Sequence, residues 1–219
     1  MSFNQPRPLG LLTALIVATI GSINLADGQS QAPTLDRPHA PSVGDTFTYR
    51  WNTEIVAFTY LGRVGDLNCY SAKVSSTRQS TVCRTSEDNT VRRVGSWEPR
   101  TFNPFHPQLS FPLFVRKQWE FSYNWGSDAF VAAAGQYNHE MNNNRILRAG
   151  VVSYEKVTVP AGTFDAFKIE GSDGRWGEAV GLLSYVLYYS PQVGFVKYDQ
   201  VVNRYGGLHY ELVDYKRAK

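Results

Sequence analysis

This 219-residue sequence has little charge and little sulfur, and almost none of the periodicity that makes a helix. Charged residues are 19% of the chain and sum formally to +3. That excess is too small and too dispersed for a nucleic-acid surface or a polybasic membrane contact. The four histidines, His39, His106, His139 and His209, fall in four separate segments and give no metal-ligand spacing. His139-Glu140 opens a zinc-protease pattern, but Asn143 stands where the second histidine is required. No Gly-x-Ser-x-Gly elbow occurs, and Gly171-Ser-Asp-Gly-Arg-Trp-Gly is neither a dinucleotide fingerprint nor a phosphate loop. No catalytic residue, metal or cofactor is indicated. A hydrolase built on two converging carboxylates stays open as a third choice, because sequence does not show which acidic residues meet.

Long apolar runs are also absent, with one exception. Leu9–Ile23 is uncharged and apolar, Arg7 precedes it, and Asn24–Ser30 gives it a small-residue exit. This is the pattern of a secretory signal peptide spanning residues 1–28, with cleavage after Gly28 or alternatively after Ser30. The run is shorter than the ~20 residues of a spanning helix, and no basic stop-transfer cluster follows it. The expected location is therefore periplasmic or secreted, without stable membrane insertion after leader cleavage.

Export gives meaning to the only two cysteines, Cys69 and Cys83, since an oxidising compartment favours a disulfide bond. Reading LNCYSAKVSSTRQSTVCRT as a hairpin that turns at Ser75-Ser76-Thr77 puts Cys69 opposite Cys83, Ala72 opposite Ser80 and Val74 opposite Arg78. Closing such a loop contributes about 3 kcal/mol by the chain-entropy argument.

What the chain does have is aromatic side chains, at 14% of residues, mixed with β-branched ones in short runs between turn signals. Residues 29–43, rich in proline and polar groups, form a flexible lead-in. A single antiparallel β-domain spans 44–219. Its first strands are FTYRW, EIVAFTYLG, CYSAKVS, STVCRT and TVRRV. Prolines at 99, 104, 107 and 112 then predict a long loop that cannot join regular strand pairing, and its many aromatics lay it against the sheet. In Gln118–Trp125, Trp119, Phe121, Tyr123 and Trp125 share one face. Ala129–Asn144 has room for a short helix or an excursion. Five more strands follow, and at Val157–Glu170 (VTVPAGTFDAFKIE) two of them meet in a corner where Pro160 ends the ladder and Gly162 supplies a positive φ.

VTVPAGTFDAFKIE, YYSPQVGFVKYDQ and the terminal ELVDYK, with FPLFVRKQWEFSY ahead of them, resemble a family of bacterial periplasmic β-domains of TapB-like type. That family is similar to the half-barrel fold of the lipoprotein-localisation factors. The resemblance covers roughly Phe111–Lys216 and carries no catalytic residue over to this chain. It departs at Val115-Arg116-Lys117-Gln118, where a glycine is expected. It implies an all-β fold, a curved meander sheet or half-barrel, whose concave side carries acyl chains or hydrophobic peptides.

Two places offer ligand contacts. Trp119 and Tyr123, joined by Tyr185, line the concavity if the sheet is curved and open, although rings on one strand face more often form core. Trp176 and Arg175 sit in a glycine-rich stretch and grip a ligand if that loop stands at the sheet's mouth, although glycine and aspartate also suit an ordinary turn. The expected function is non-enzymatic binding of an apolar or amphipathic ligand or cell-envelope component, with a lipid, a hydrophobic peptide or an envelope protein as partner. A structural or assembly protein whose sheet edge pairs with a partner is the alternative.

Overall fold

The computed structural model describes residues 32–97, 99–126, 145–175, 183–202 and 206–218. The expected leader at 1–28 and the possible helix at 129–144 lie outside them, and the described residues contain no helix. Twelve strands follow in chain order: β1 (Thr46–Trp51), β2 (Glu54–Val64), β3 (Leu67–Lys73), β4 (Gln79–Arg84), β5 (Thr90–Gly95), β6 (Arg100–Asn103), β7 (Gln118–Gly126), β8 (Arg145–Val159), β9 (Gly162–Arg175), β10 (Leu183–Ser190), β11 (Gly194–Val202) and β12 (Gly206–Lys216). Each pairs antiparallel with the next, and Ala32–Lys219 forms one compact unit.

The expected curved sheet or half-barrel is instead a closed barrel, because β1 also pairs with β12 from Thr46↔Lys216 to Trp51↔Tyr210. Asp45, fully buried just ahead of β1, ties this seam at one end. Its Oδ1 accepts from the backbone N–H of Ala218 at 2.7 Å and its Oδ2 from that of Ser42 at 2.9 Å. Burial alone raises the carboxyl's pKa, but these bonds and the Arg217 charge outweigh it and hold the group below its ordinary value. Closure removes the open edges a half-barrel would leave.

Local chemistry sets the hairpins. Cys69 pairs with Cys83 and is bridged to it, and Ala72 pairs with Ser80. At the Pro160-Ala161 turn, Val159 pairs with Gly162 (φ 136°), while Val157 and Val159 face the core. Arg116 stands at φ 78° in the turn before β7, the left-handed conformation that a glycine adopts without cost. This is the turn where the resemblance leads one to expect a glycine.

The proline-rich segment departs from expectation in one respect: it contains β6. This four-residue strand pairs with β5 at two positions and with β7 at three. It fits because it lies between Pro99 and Pro104, the flanking residues that lack an N–H. Beyond β6, β7 keeps β8 on one side but has loop on the other, and Phe121 stays 40% exposed beside Phe105, although it shares a face with Trp119 and Tyr123.

A ring of twelve strands is wider than its own wall side chains readily fill, and residues 104–117 fill one end of this one. The loop contains two cis peptide bonds, Asn103-Pro104 and Phe111-Pro112. Leu109 and Leu113 enter the core, and Phe111 packs edge-on against Tyr189 of β10. Buried Asn89, in the β4–β5 turn, exchanges two 2.8 Å hydrogen bonds with the Leu109 backbone. Leu35 forms an antiparallel bridge with Leu113, and the His39 N–H donates to the Tyr189 hydroxyl at 3.0 Å. The lead-in segment is thus in contact with the filled end.

Candidate functional site

Between this plug and the opposite end of the barrel lies a cavity of about 370 Å³. His106 and Gln108 of the loop line it on one side, Arg100 at its rim is exposed, and the strands supply the walls.

One wall is a ladder of stacked rings. Trp51 of β1 lies 5.1 Å from Tyr210 of β12, and Tyr210 lies 5.0 Å from Tyr198 of β11. Tyr198 in turn lies 5.6 Å from Tyr185 of β10. Strand register produces this order, since Trp51 is paired with Tyr210 and Tyr198 with Tyr210. The end of the ladder depends on Gly171 of β9, which is paired with Tyr185. A Cβ at Gly171 would come within 2.4 Å of the Tyr185 ring, so only glycine leaves room for it.

The other walls carry Arg84, Arg93, Arg100 and Arg145. Arg84 is held at 3.0 Å by Asp88 and has its guanidinium 4.9 Å from the Tyr70 ring centroid and 5.0 Å from that of Phe195. Asp88 in turn lies 3.4 Å from the Tyr189 hydroxyl. Burial pushes the Asp88 carboxyl up, and the Arg84 charge works against that rise. Arg93 lies over Trp97 at 4.5 Å and over Trp51 at 5.5 Å. Arg100 and Arg145 approach the same indole, Trp125, at 5.3 Å and 5.9 Å.

Among the described lining residues the single carboxylate is Asp173, which is 6% exposed. Its Oδ2 accepts from the Tyr123 hydroxyl at 2.6 Å, and Arg145 stands 3.8 Å from Oδ1. Burial raises its pKa, against the Tyr123 bond and the Arg145 charge. His106 stacks on Phe102 with centroids 5.0 Å apart. Burial, and then the charges of Arg100 and Arg145, push its imidazole down to about 3, so it is neutral near pH 7. No three His, Cys, Asp or Glu side chains cluster as a metal site among the described residues.

Of the residues singled out from sequence, Tyr123 lines the cavity. Tyr185 sits one ring behind the lining, 3% exposed and stacked on Tyr198. Trp119 points at the loop instead and donates its indole N–H to the Pro107 carbonyl at 3.1 Å. Trp176 lies outside the described residues. Arg175 is the last residue of β9 with its backbone opposite Arg145, so the stretch from Gly171 to Arg175 is strand and not loop. Cys69 and Cys83 are not among the lining residues, although Cys83 directly precedes Arg84, which is.

The arginines were missed, although two carried a sequence signal. Arg84 shares strand parity with Ser80 and Val82, and Arg145 with Leu147 and Ala149, all of them inward. A charged side chain on the apolar parity of a strand marks a polar interior.

No curated protein matches the chain. Among solved structures it is similar to an inferred exported protein with a YmcC-like fold from Bacteroides fragilis, at 15% identity and a TM-score of 0.38, covering 84% of this chain and 100% of that one. It is also similar to an inferred lipoprotein from Parabacteroides distasonis, at 14% identity and a TM-score of 0.41, covering 85% of this chain and 100% of that one. Residues 109–208, which run from the plug's Leu109 to Leu208 in β12, match the DUF3108-like family.

Proposed function

We propose that this chain is an exported binding protein that holds one small amphipathic ligand inside its barrel and does no chemistry on it. The observation that carries this reading is the cavity of about 370 Å³, walled by a ring ladder on one side and arginines on the other. Its volume stands at the small end of the ~300–1,000 Å³ typical of ligand pockets. That size favours a compact molecule over a peptide or a two-chain lipid. The single carboxylate of the described lining is already hydrogen-bonded by Tyr123 at 2.6 Å, with Arg145 3.8 Å away, which speaks for binding over paired-carboxylate hydrolysis.

Two further observations support a water-borne carrier. The outer wall carries ion pairs such as Arg50–Glu211 and Lys156–Asp165, where a membrane-spanning barrel needs an apolar band. Pairing of β1 with β12 also leaves a partner strand no open ladder at that seam, which favours the ligand reading over assembly through that edge. Export rests on the leader-like composition of residues 1–28 and agrees with the Cys69–Cys83 bridge.

Native mass spectrometry on the chain, purified without detergent from its own envelope, tests this reading. The expected result is one small molecule bound per chain in the wild type and none in Leu208→Trp, where the larger ring occupies the cavity. A bare wild-type chain that also takes up no added amphipath would end the proposal.

A further inference from the structure

We infer that the ligand is a small organic anion, its charged group held at the cavity rim by Arg100 and Arg145 around the Trp125 indole and its apolar body lying against the Tyr198–Tyr210–Trp51 ladder. The inference rests on the barrel-binding proposal and adds the ligand's charge and the residues that read it.

Charge balance is the first support. Arg100 and Arg145 both line the cavity, with Asp173 as the one carboxylate among the described lining residues. Arg84 has its own partner in Asp88 at 3.0 Å. Asp173 makes its short bond to Tyr123, at 2.6 Å, and leaves Arg145 at 3.8 Å. No carboxylate pairs with Arg100 among the described residues.

Unused donors are the second. Arg145 has 13% of its side chain exposed, and its Nε and Nη1 are buried without a hydrogen-bond partner among the described residues. Donors in that state keep their full desolvation cost until an acceptor arrives. A guanidinium fork matches the paired oxygens of a carboxylate, sulfonate or phosphate. A neutral or cationic ligand offers those donors less, and a cation also meets the arginine charge.

The third support is the arrangement around one ring. Arg100 and Arg145 stand within 6 Å of the Trp125 centroid, and His106, neutral near pH 7, registers the field of both. Like charges gathered in a low-dielectric site repel one another, and an anion between them relieves that repulsion.

Two dyes of nearly the same shape provide the test. 8-Anilino-1-naphthalenesulfonate carries a sulfonate on a body that N-phenyl-1-naphthylamine presents without charge. Binding is followed by dye fluorescence and by quenching of protein tryptophan. The inference predicts that both dyes bind at one site lost in Leu208→Trp, and that the sulfonate binds at least about tenfold more tightly. Arg100→Gln is expected to erase that preference while leaving the neutral dye unchanged, and Arg100→Lys to restore much of it. Because Arg100 is exposed, its variants are expected to fold as the wild type does. Decanoate or phenyl phosphate should displace the sulfonate dye at about tenfold lower concentration than decanol or phenol does, and which one shows that advantage separates a carboxylate source from a phosphate source. If both dyes bind within twofold of each other and Arg100→Gln moves neither, the anion inference fails and barrel binding stands. If neither dye binds, or both persist in Leu208→Trp, barrel binding fails and this inference with it.

Discussion

The two ends of the barrel share the same residue types, aromatic rings, arginines and buried acids, but finish them differently. At the filled end the chain supplies the partners itself: Asn89 bonds the Leu109 backbone twice, Asp88 holds Arg84, and Asp45 ties the β1–β12 seam. At the other end Arg145 and Asp173 stand 3.8 Å apart, and Arg145 retains buried donors without a hydrogen-bond partner among the described residues. A fold held together mainly at one end can leave buried polar groups incompletely matched at the other, and that mismatch is what a ligand can complete.

This contrast is broken most directly at Asp88. Asp88→Asn keeps the side-chain shape and tolerance for φ 62° but removes the counterion of a buried guanidinium. It is expected to cost about 3–5 kcal/mol in urea unfolding. Arg100→Gln, at the exposed rim, should stay within about 0.5 kcal/mol of wild type. Equal losses at the two sites would dissolve the distinction between a structural end and a binding end.

Next in size is the bridge, which staples the same side of the barrel as Asp88. Its cysteines are separated by 14 positions, so reduction is expected to cost about 3 kcal/mol by the loop-closure argument. The urea midpoint should fall with dithiothreitol in the wild type, and not in Cys69→Ser/Cys83→Ser.

His106 sharpens the contrast through pH. Its imidazole stands at about 3 in the folded chain against an unfolded value near 6.5. The folded state thus refuses a proton that the unfolded state accepts. The stability from neutral His106 is complete above about pH 6.5 and is lost as pH falls towards 3, by at most ~1.4 kcal/mol per pH unit. His106→Gln should flatten that part of the pH–stability curve, and an unchanged slope would place the acid sensitivity elsewhere.

The smallest expected effect is at Arg116, where the loop turns into β7 at φ 78°. Arg116→Gly should match or exceed wild-type stability by up to about 1 kcal/mol, whereas Arg116→Val should lose about 1–2 kcal/mol to backbone strain. Equal stabilities in thermal melts would mean that the turn is not held in that conformation.

Much of the strand layout could be read in the sequence, because alternation and turn residues are local. The Cys69–Cys83 register and the Pro160–Gly162 corner follow from pairings within single hairpins. Closure could not be read this way: nothing local tells Thr46 that it will face Lys216. β6 was hidden because four residues between prolines show no period. The cavity was legible only in part. Tyr123 was found through its alternation, while Arg100 and Tyr210 become neighbours of one space only once the ring has closed.

The central claim, that a small ligand occupies the interior, is tested most directly by nuclear magnetic resonance of the indole N–H groups during titration with the anilinonaphthalene sulfonate. The account predicts that the Trp51 and Trp125 signals, from the two tryptophans of the lining, shift together and saturate at one dye per chain. Trp119, whose N–H is engaged by the Pro107 carbonyl, should hold its position. Shifts centred on Trp119 with Trp51 and Trp125 unmoved would contradict it.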